Sequence, residues 1–406
     1  MFVGILKRMD RNFLLFLLAT GFIGIAQSVD GATLTNYLKE NLGMMILERS
    51  ALEFPRELPG LLIVIIIGLM SSLGDVKIAA VANILAAIGM ALLSIIPSDY
   101  SFVLVTIFIY NMGTHIYLPI SNSIGMRFAK ANDMGRKLGK ISAVNTITLV
   151  FSSAVLWVLF KFVHMSFAMA FLIGALAFFA AAICLMLIKP IQSENKGKRF
   201  IFKKEYGLYY WLSILFGARK QIFLTFGPWV LVDVFHQRVT TMTMLFFVIS
   251  VIGIFVKPWI GQLIDNRGEK YILTREAMLF FFVCLGYAFA TDIFSPALAL
   301  GVICICYVLD QSMSSVSMAR ATYMKKLALV PEDVSPSLSL GTSLDHISTM
   351  FLPIIGGLVW YNSGPNGYKY VFIGGAIIAL FNLVSAQFIN VDKKKELYVV
   401  NELSEK

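Results

Sequence analysis

The sequence predicts an all-α membrane protein with twelve transmembrane helices arranged in two six-helix halves. The 406-residue chain is 58% hydrophobic and only 14% charged, a composition that excludes a soluble globular protein. Apolar runs long enough to span a bilayer recur along the whole chain. The Lys and Arg residues collect in alternate loops between these runs, as expected when every second loop faces the cytoplasm.

Twelve apolar segments are predicted to be the transmembrane helices. Those of the first half lie near residues 13–37, 51–73, 77–97, 100–128, 139–163 and 166–188, and those of the second half near 207–234, 240–264, 270–291, 296–324, 337–361 and 367–390. One long polar segment separates the halves. The predicted domains are an N-terminal half (1–190), a cytoplasmic linker (191–206), a C-terminal half (207–392) and a cytoplasmic tail (393–406).

The basic residues predict the orientation of the chain. With the N-terminus in the cytoplasm, 25 of the 34 Lys and Arg residues fall in inner segments and only five in outer loops. Both termini are therefore expected in the cytoplasm, in the inner membrane of a bacterium. The net charge of +10 reflects this asymmetry and predicts no nucleic-acid partner. Lys257 and Arg320 are expected to extend their side chains to the inner interface.

The cysteine and histidine residues predict no metal and no cofactor. All four cysteines lie inside apolar runs, without the spacing of a zinc site or of a disulfide framework. The expected partners are a small-molecule solute and membrane lipid, and the expected state is a monomer.

A short polar loop, Gly-Gln-Leu-Ile-Asp-Asn-Arg-Gly-Glu-Lys at 261–270, separates two apolar runs in the second half. Its glycines suit a tight reversal, and its bases suit the cytoplasmic headgroups. The loop resembles the signature of the major facilitator superfamily, whose pattern is matched by Gly261, Leu263, Asp265, Arg267, Gly268 and Lys270. The resemblance implies the major facilitator fold. It also implies a conformational latch formed by Gly261, Asp265, Arg267 and Gly268.

The corresponding loop of the first half is less complete. Gly68 and Gly74 remain, but Ser72 stands at the position of the acid, and Lys77 is the only base. The Arg of the fourth helix that is typical of proton-coupled members is missing, and His115 lies at about that depth. The fifth span also lacks the Gly-Pro motif of drug antiporters, so the resemblance does not indicate a subfamily.

Polar residues inside the predicted spans define the candidate binding site. A charge within a bilayer costs about 2.5–3.5 kcal/mol on insertion scales and normally faces a partner or a cavity. The predicted substrate-binding residues are Gln27, Asp30, Asn111, His115, Arg219, Asp310 and His346. Arg219 and its neighbour Lys220 point about 100° apart on their helix, so one is expected to meet the solute or an acid and the other to pack between helices. A purely structural ion pair is an equal alternative for each.

The eleventh span carries a continuous polar face made of Thr342, Asp345, His346 and Thr349. We predict that Asp345 is the proton-coupling residue, because a carboxylate in apolar surroundings is readily protonated. Helix–helix hydrogen bonding is the alternative explanation of this face. Asp310, in the tenth span, is expected to neutralise Arg219 structurally.

These features favour a secondary active transporter that moves a small polar or charged solute by alternating access, in symport or antiport with protons. A non-transporting membrane sensor with a transporter fold is an alternative, although the tail after Asp392 has only 14 residues. A membrane-embedded enzyme is a weaker alternative, because no nucleophile–base motif and no metal-spaced His/Glu pair occurs in the sequence. We therefore predict no catalytic residues.

Overall fold

The computed structural model describes residues 10–95, 99–128, 134–189, 202–330 and 333–390. These residues are helical apart from short connections, and no strand occurs among them. Of the predicted linker and tail, residues 191–201 and 393–406 lie outside the described part of the chain.

The first half of the sequence forms seven of the described helices. They are α1 (Arg11–Asn36), α2 (Ile46–Ala51), α3 (Glu53–Leu69), α4 (Asp75–Ile95), α5 (Tyr100–Arg127), α6 (Met134–Phe162) and α7 (Phe167–Met186). Side-chain oxygens cap several of their N-termini and satisfy amides that have no partner within the helix. Asp10 accepts a hydrogen bond from the amide of Asn12 at 3.1 Å, and Ser166 accepts one from Met169 at 3.3 Å.

The second half forms six helices. They are α8 (Gly207–Trp229), α9 (Val239–Ile293), α10 (Pro296–Ser312), α11 (Ser317–Leu327), α12 (Val334–Asn362) and α13 (Gly367–Gln387). The 55-residue α9 is broken at Gly268, whose φ of 78° and ψ of 169° are not helical. A positive φ of this size strains any residue with a Cβ atom, so the glycine of the loop signature is where the chain turns. The predicted eighth and ninth spans are the two parts of α9.

Nine helical segments of the described chain are long and apolar enough to cross a membrane. One of them is α9, which contains two predicted spans. The second predicted span corresponds to α3, which has only 17 residues, and the seventh to α8, which carries the consecutive polar residues Arg219, Lys220 and Gln221. Neither helix is among the nine, so the count of twelve remains a prediction.

The helices form two compact units that do not follow the two halves of the sequence throughout. The described residues of the first unit fall within 1–45, 55–196 and 236–251, and those of the second within 46–54, 197–235 and 252–406. Two segments thus pack with helices from the other half of the sequence. The predicted domain limits remain a prediction.

The segment 46–54 packs in the second unit through a buried ion pair. Arg49 and Glu53 pair one helical turn apart, and Arg49 also donates to the backbone oxygen of Leu224 in α8 at 3.4 Å. Ser50 lies against Gly357 of α12, where a Cβ atom would come within 2.3 Å of the Ser50 hydroxyl. Arg49 is only 2% exposed. Its partners Glu53 and Leu224 account for this burial.

The segment 236–251 packs in the first unit against α1. A Cβ atom at Gly31 would lie 2.4 Å from the ring of Phe246, so only glycine allows this approach. The Asn36 side chain donates to the backbone oxygen of Gln237 at 3.0 Å.

Small residues also set the contact between α4 and α5 in the first unit. A Cβ atom at Gly113 would lie 2.3 Å from the backbone oxygen of Ala82 and 2.5 Å from the amide of Ala86. In a membrane, such backbone approach replaces the hydrophobic driving force that is missing between helices in lipid.

Replacing Gly113 with Ala should therefore push α4 and α5 apart. We expect a loss of stability of about 1–3 kcal/mol, measured as a lower melting temperature of the purified protein. Gly139→Ala in α6 is the matched control, because a Cβ atom there meets nothing within 4 Å. Equal melting temperatures of the two variants would contradict the close contact.

Candidate functional site

A group of charged side chains lies inside the second unit. It comprises three bases and three acids carried by α8, the second part of α9, α10, α11 and α12, namely Arg219, Lys220, Arg320, Glu276, Asp310 and Asp345. We call these six residues the charge cluster. Charges in apolar surroundings must be paired or meet a ligand, so the partner of each one decides what it can do.

Arg219 is neutralised by Glu276. Its guanidinium lies 3.0 Å from the Glu276 carboxylate, and both side chains are buried. The guanidinium also lies 3.7 Å from the ring centroid of Phe280 and 5.0 Å from that of Phe216. Phe280 follows Glu276 by one helical turn, so one face of α9 supplies both the counter-charge and a stacking surface.

Lys220 is neutralised by Asp345. The ammonium lies 3.0 Å from one carboxylate oxygen, while the other oxygen of Asp345 has no hydrogen-bond partner among the described residues. The side chains are 26% and 15% exposed, respectively, so this pair is the more accessible one. The helices meet closely here, because a Cβ atom at Gly217 would lie 2.4 Å from the Asp345 carboxylate.

Arg320 differs from the other two bases. It is only 8% exposed, and its guanidinium carbon lies 3.1 Å from the ring centroid of Phe216. The expectation that Arg320 extends to the membrane interface was therefore wrong. The ring of Phe216 attracts the guanidinium inward, and Glu276 and Asp345 attract it through their charges.

Asp310 and His346 are also buried in this unit. Asp310 accepts a hydrogen bond of 2.8 Å from the side chain of Gln311. Arg219, its expected partner, is paired with Glu276 instead and acts on Asp310 only through its charge. The backbone oxygen of His346 accepts a hydrogen bond from Thr349, so part of the predicted polar face of α12 is used within the helix.

The predicted site residues of the first half lie in the first unit. Gln27 of α1 is exposed and accepts a hydrogen bond of 3.1 Å from Asn145 of α6. Asp30 interacts with the hydroxyl of Tyr110 in α5. On the same helix, the Asn111 backbone oxygen lies 2.9 Å from Nδ1 of His115.

The structure thus groups the predicted site residues unit by unit and adds members that the sequence analysis missed. The new members are Glu276 and Phe216, and Phe216 precedes Arg219 and Lys220 by three and four residues. Helical periodicity could have identified Phe216. Glu276 lies near the start of a predicted span, where an acid suggests the interface, and only the folded structure reveals its partner.

The loop 261–270 contains a buried ion pair next to its exposed charges. Asp265 and Arg267 are exposed, whereas Glu269 is buried directly after Gly268 and pairs with Lys326 of α11 at 2.8 Å. Lys270 donates to the backbone oxygen of Gln387 at 2.6 Å. The acid after the glycine therefore ties the second part of α9 to the end of α11.

The first unit repeats this arrangement. Gly74 has a φ of +73°, and Asp75 follows it as the first residue of α4. Asp75 pairs with Arg127 at the end of α5 at 2.9 Å and accepts a hydrogen bond of 2.7 Å from Ser123. The first loop, which matches the signature poorly, thus keeps the glycine–acid–base tie of the second loop.

A further tie joins the segment before α8 to the residue before α12. Asp333 pairs with Lys203 at 2.6 Å and accepts a short hydrogen bond from Tyr206. Burial acts to raise the pKa of Asp333, but the hydrogen bonds from Lys203 and Tyr206 and the charge of Lys203 outweigh it. The pKa of Asp333 therefore lies below its usual value.

Residues 16–328 match the family model described as Major Facilitator Superfamily. The chain belongs to this superfamily. A search of curated protein sequences gives no match.

Similar solved structures include a point mutant of the nucleoside transporter NupG, with a TM-score of 0.76, 13% identity and coverage of 93% of this chain and 99% of that chain. A bacterial homologue of the iron transporter ferroportin in an inward-facing state has a TM-score of 0.68, 14% identity and coverage of 93% and 98%. The D-xylose–proton symporter has a TM-score of 0.67, 15% identity and coverage of 93% and 96%.

The predicted all-α membrane protein with the major facilitator fold is confirmed by the family match and by these structures. The structural similarity at these identities concerns the fold. It assigns no substrate, because the similar proteins include a nucleoside transporter, a bacterial homologue of the iron transporter ferroportin and a D-xylose–proton symporter. The roles of the individual site residues, and the expected absence of a metal or cofactor, remain predictions.

The buried pair of Arg219 and Glu276 can be tested by removing one partner. Arg219→Gln leaves an uncompensated carboxylate, and we expect a loss of about 3–5 kcal/mol of stability, measured by thermal melting. Arg219→Gln/Glu276→Gln should lose less than the two single variants together. Lys369→Gln is the control, since its partner Asp292 is 50% exposed, and should change stability by only about 0–1 kcal/mol. Similar melting temperatures of Arg219→Gln and Lys369→Gln would contradict a buried pair.

The tie at Asp333 should make stability dependent on pH. A carboxylate whose pKa is lower in the folded than in the unfolded protein stabilises the fold at every pH above its pKa in the unfolded protein. This contribution disappears as the pH falls through the pKa of the folded protein. The melting temperature of the wild type should therefore exceed that of Asp333→Asn at neutral pH. The difference should shrink below the ordinary Asp value of 3.8. If the wild type and Asp333→Asn differ in melting temperature as much in strongly acidic solution as at neutral pH, the stabilisation does not depend on the charge of Asp333.

Proposed function

We propose that this protein is a secondary active transporter that moves a small polar or charged solute by alternating access, coupled to protons in symport or antiport. It acts as a monomer in the inner membrane of a bacterium, with both termini in the cytoplasm. The distribution of basic residues supports this orientation. Reporter fusions within 193–198 and 362–367, expected inside and outside, respectively, test it.

The charge cluster is the observation that carries this proposal. Six ionisable side chains lie together among transmembrane helices, where each is costly unless it serves a ligand, an ion or a partner. Membership of a superfamily whose solved structures include transporters supports the same conclusion. A structural role alone would need no accessible charges, yet Lys220 and Asp345 are partly exposed.

Solute binding is proposed for polar residues of both units, and proton coupling for one acid of the charge cluster. The proposed substrate-binding residues are Gln27, Asp30, Asn111, His115, Arg219, Asp310 and His346. Asp345 is the proposed proton carrier, because a carrier must be reached by water and must have a counter-charge that its protonation releases. Its side chain is 15% exposed and pairs with Lys220, whereas Asp310 is buried.

Transport is tested first by binding and then by flux. A panel of sugars, nucleosides, amino acids and organic acids is screened by thermal shift, since a ligand that binds the folded state raises the melting temperature. Each hit is then assayed for exchange and for pH-driven uptake in vesicles that contain the purified protein. Exchange of a bound solute supports the proposal. Binding without flux would favour the sensor, and conversion of the solute would favour an enzyme.

Asp345→Asn should separate coupling from binding. The variant keeps the side-chain shape and removes the titrating group, so it should bind and exchange solute but lose accumulation driven by a pH gradient. Asp292→Asn, which changes an acid at the end of α9 with a half-exposed side chain, is the control and should keep coupled uptake. Full accumulation by Asp345→Asn would exclude Asp345 as the proton carrier.

The latch is proposed for Gly261, Asp265, Arg267 and Gly268. Asp265 and Arg267 are exposed in this structure, so they are available to pair in another state of the transport cycle. We expect Asp265→Asn to slow exchange in vesicles while leaving the affinity for solute unchanged. Unchanged exchange rates would leave the loop as a connector only.

A further inference from the structure

One cation of the charge cluster has no carboxylate partner in the part of the chain that the structure describes. Arg320 is only 8% exposed, and no carboxylate lies within 4.0 Å of it among the described residues. No hydrogen bond to its guanidinium occurs there either, so the ring of Phe216 is its main contact. A buried guanidinium without a counter-ion is unfavourable in the absence of ligand.

The acids of the charge cluster do not relieve this imbalance. Glu276 and Asp345 attract Arg320, but each already holds another base at 3.0 Å. Asp310 does not pair with Arg320 within 4.0 Å among the described residues, and its carboxylate accepts a hydrogen bond from Gln311 instead. One positive charge is therefore left without a direct counter-charge.

The chemistry of this group indicates the ligand. A guanidinium is planar and always charged, and it can bind a carboxylate or a phosphate through two parallel hydrogen bonds. The ring of Phe216 also lies near Arg219 and Lys220, at 5.0 and 5.7 Å, so the three cations lie around one aromatic side chain. With Arg219 and Lys220 paired, Arg320 is the base of the charge cluster that has no carboxylate within 4.0 Å among the described residues.

We propose that Arg320 binds the negatively charged group of the transported solute, which is a small organic anion. This inference rests on the proposed function and names the substrate class for it. Arg219, whose charge is balanced by Glu276, contacts other parts of the solute.

The first test needs no ligand. If Arg320 has no structural partner, then Arg320→Gln should melt at the wild-type temperature or above it, because the substitution removes an uncompensated charge. Arg219→Gln, which leaves Glu276 unpaired, should melt below the wild type. A clear loss of stability in Arg320→Gln would show a structural partner and would overturn the proposal.

The second test compares anions with neutral analogues of the same shape. Acetate, lactate, benzoate and methyl phosphate are titrated onto the purified wild-type protein alongside acetamide, lactamide and benzamide, with melting temperature and calorimetry as readouts. At least one anion should bind, and its amide should not. Binding by carboxylates alone or by methyl phosphate alone identifies the group that is recognised. If no anion binds better than its neutral analogue, the assignment is wrong.

Variants then connect binding to this residue. Arg320→Gln should lower the affinity for the bound anion by about tenfold or more, the loss expected for a charged hydrogen-bonding group. Arg320→Lys keeps the charge without the planar fork and should lose less. Arg275→Gln is the matched control, because this arginine of α9 is exposed, and it should bind as the wild type does. Unchanged affinity in Arg320→Gln would overturn the proposal.

Flux measurements separate this inference from the proposed function. If the protein exchanges a neutral solute and Arg320→Gln does not change the rate, the proposed transport function stands and the proposed anion site is wrong. If an anion binds only when Arg320 is present but is not exchanged in vesicles, the proposed anion site stands and the proposed transport function is wrong.

Discussion

The arrangement of the second unit depends on one constraint, which is the cost of holding charged groups away from water. Each of these groups must find a counter-charge, an aromatic face or a ligand. Arg219 and Lys220 are adjacent on α8 and project in different directions, so they cannot share one acid. Glu276 on α9 and Asp345 on α12 satisfy them separately at 3.0 Å. The packing of α8 against these two helices is thereby tied to the charges that it carries.

The two units share one way of turning the chain between consecutive long helices. Where the chain reverses between consecutive long helices, a glycine with φ of +73° or +78° is followed at once by a buried acid, Asp75 or Glu269. Each acid pairs with a base near the end of the next long helical segment, Arg127 or Lys326. An acid in the first turn of a helix interacts favourably with the positive end of the helix dipole. Its buried position then fixes which segment it joins.

The fold followed from the sequence more directly than the site did. Apolar runs and the placement of bases depend on local composition, so they predicted the helices and identified the loop around Gly268. Ion pairs between helices depend on which faces of distant helices meet, and this cannot be read from a single sequence. Arg320 was assigned to the interface because its position near a span end permits it, whereas the ring of Phe216, about a hundred residues away, draws it inward. Glu276 was missed for the same reason. Asp310 lost its expected partner because Glu276 is closer to Arg219.

The incomplete neutralisation of the charge cluster suits a site that must release what it binds. A base with its own close acid offers an incoming anion little, because binding would have to break an existing pair. A fully isolated base would hold an anion too firmly for turnover. Arg320 lies between these limits, since Glu276 and Asp345 attract it from a distance while remaining paired with other bases. The same two carboxylates would repel an anion at Arg320 and so weaken its binding. If Asp345 takes up a proton, that repulsion falls and the anion is held more tightly. The proposed proton carrier and the proposed anion site would then be coupled through space, with no direct contact needed between them.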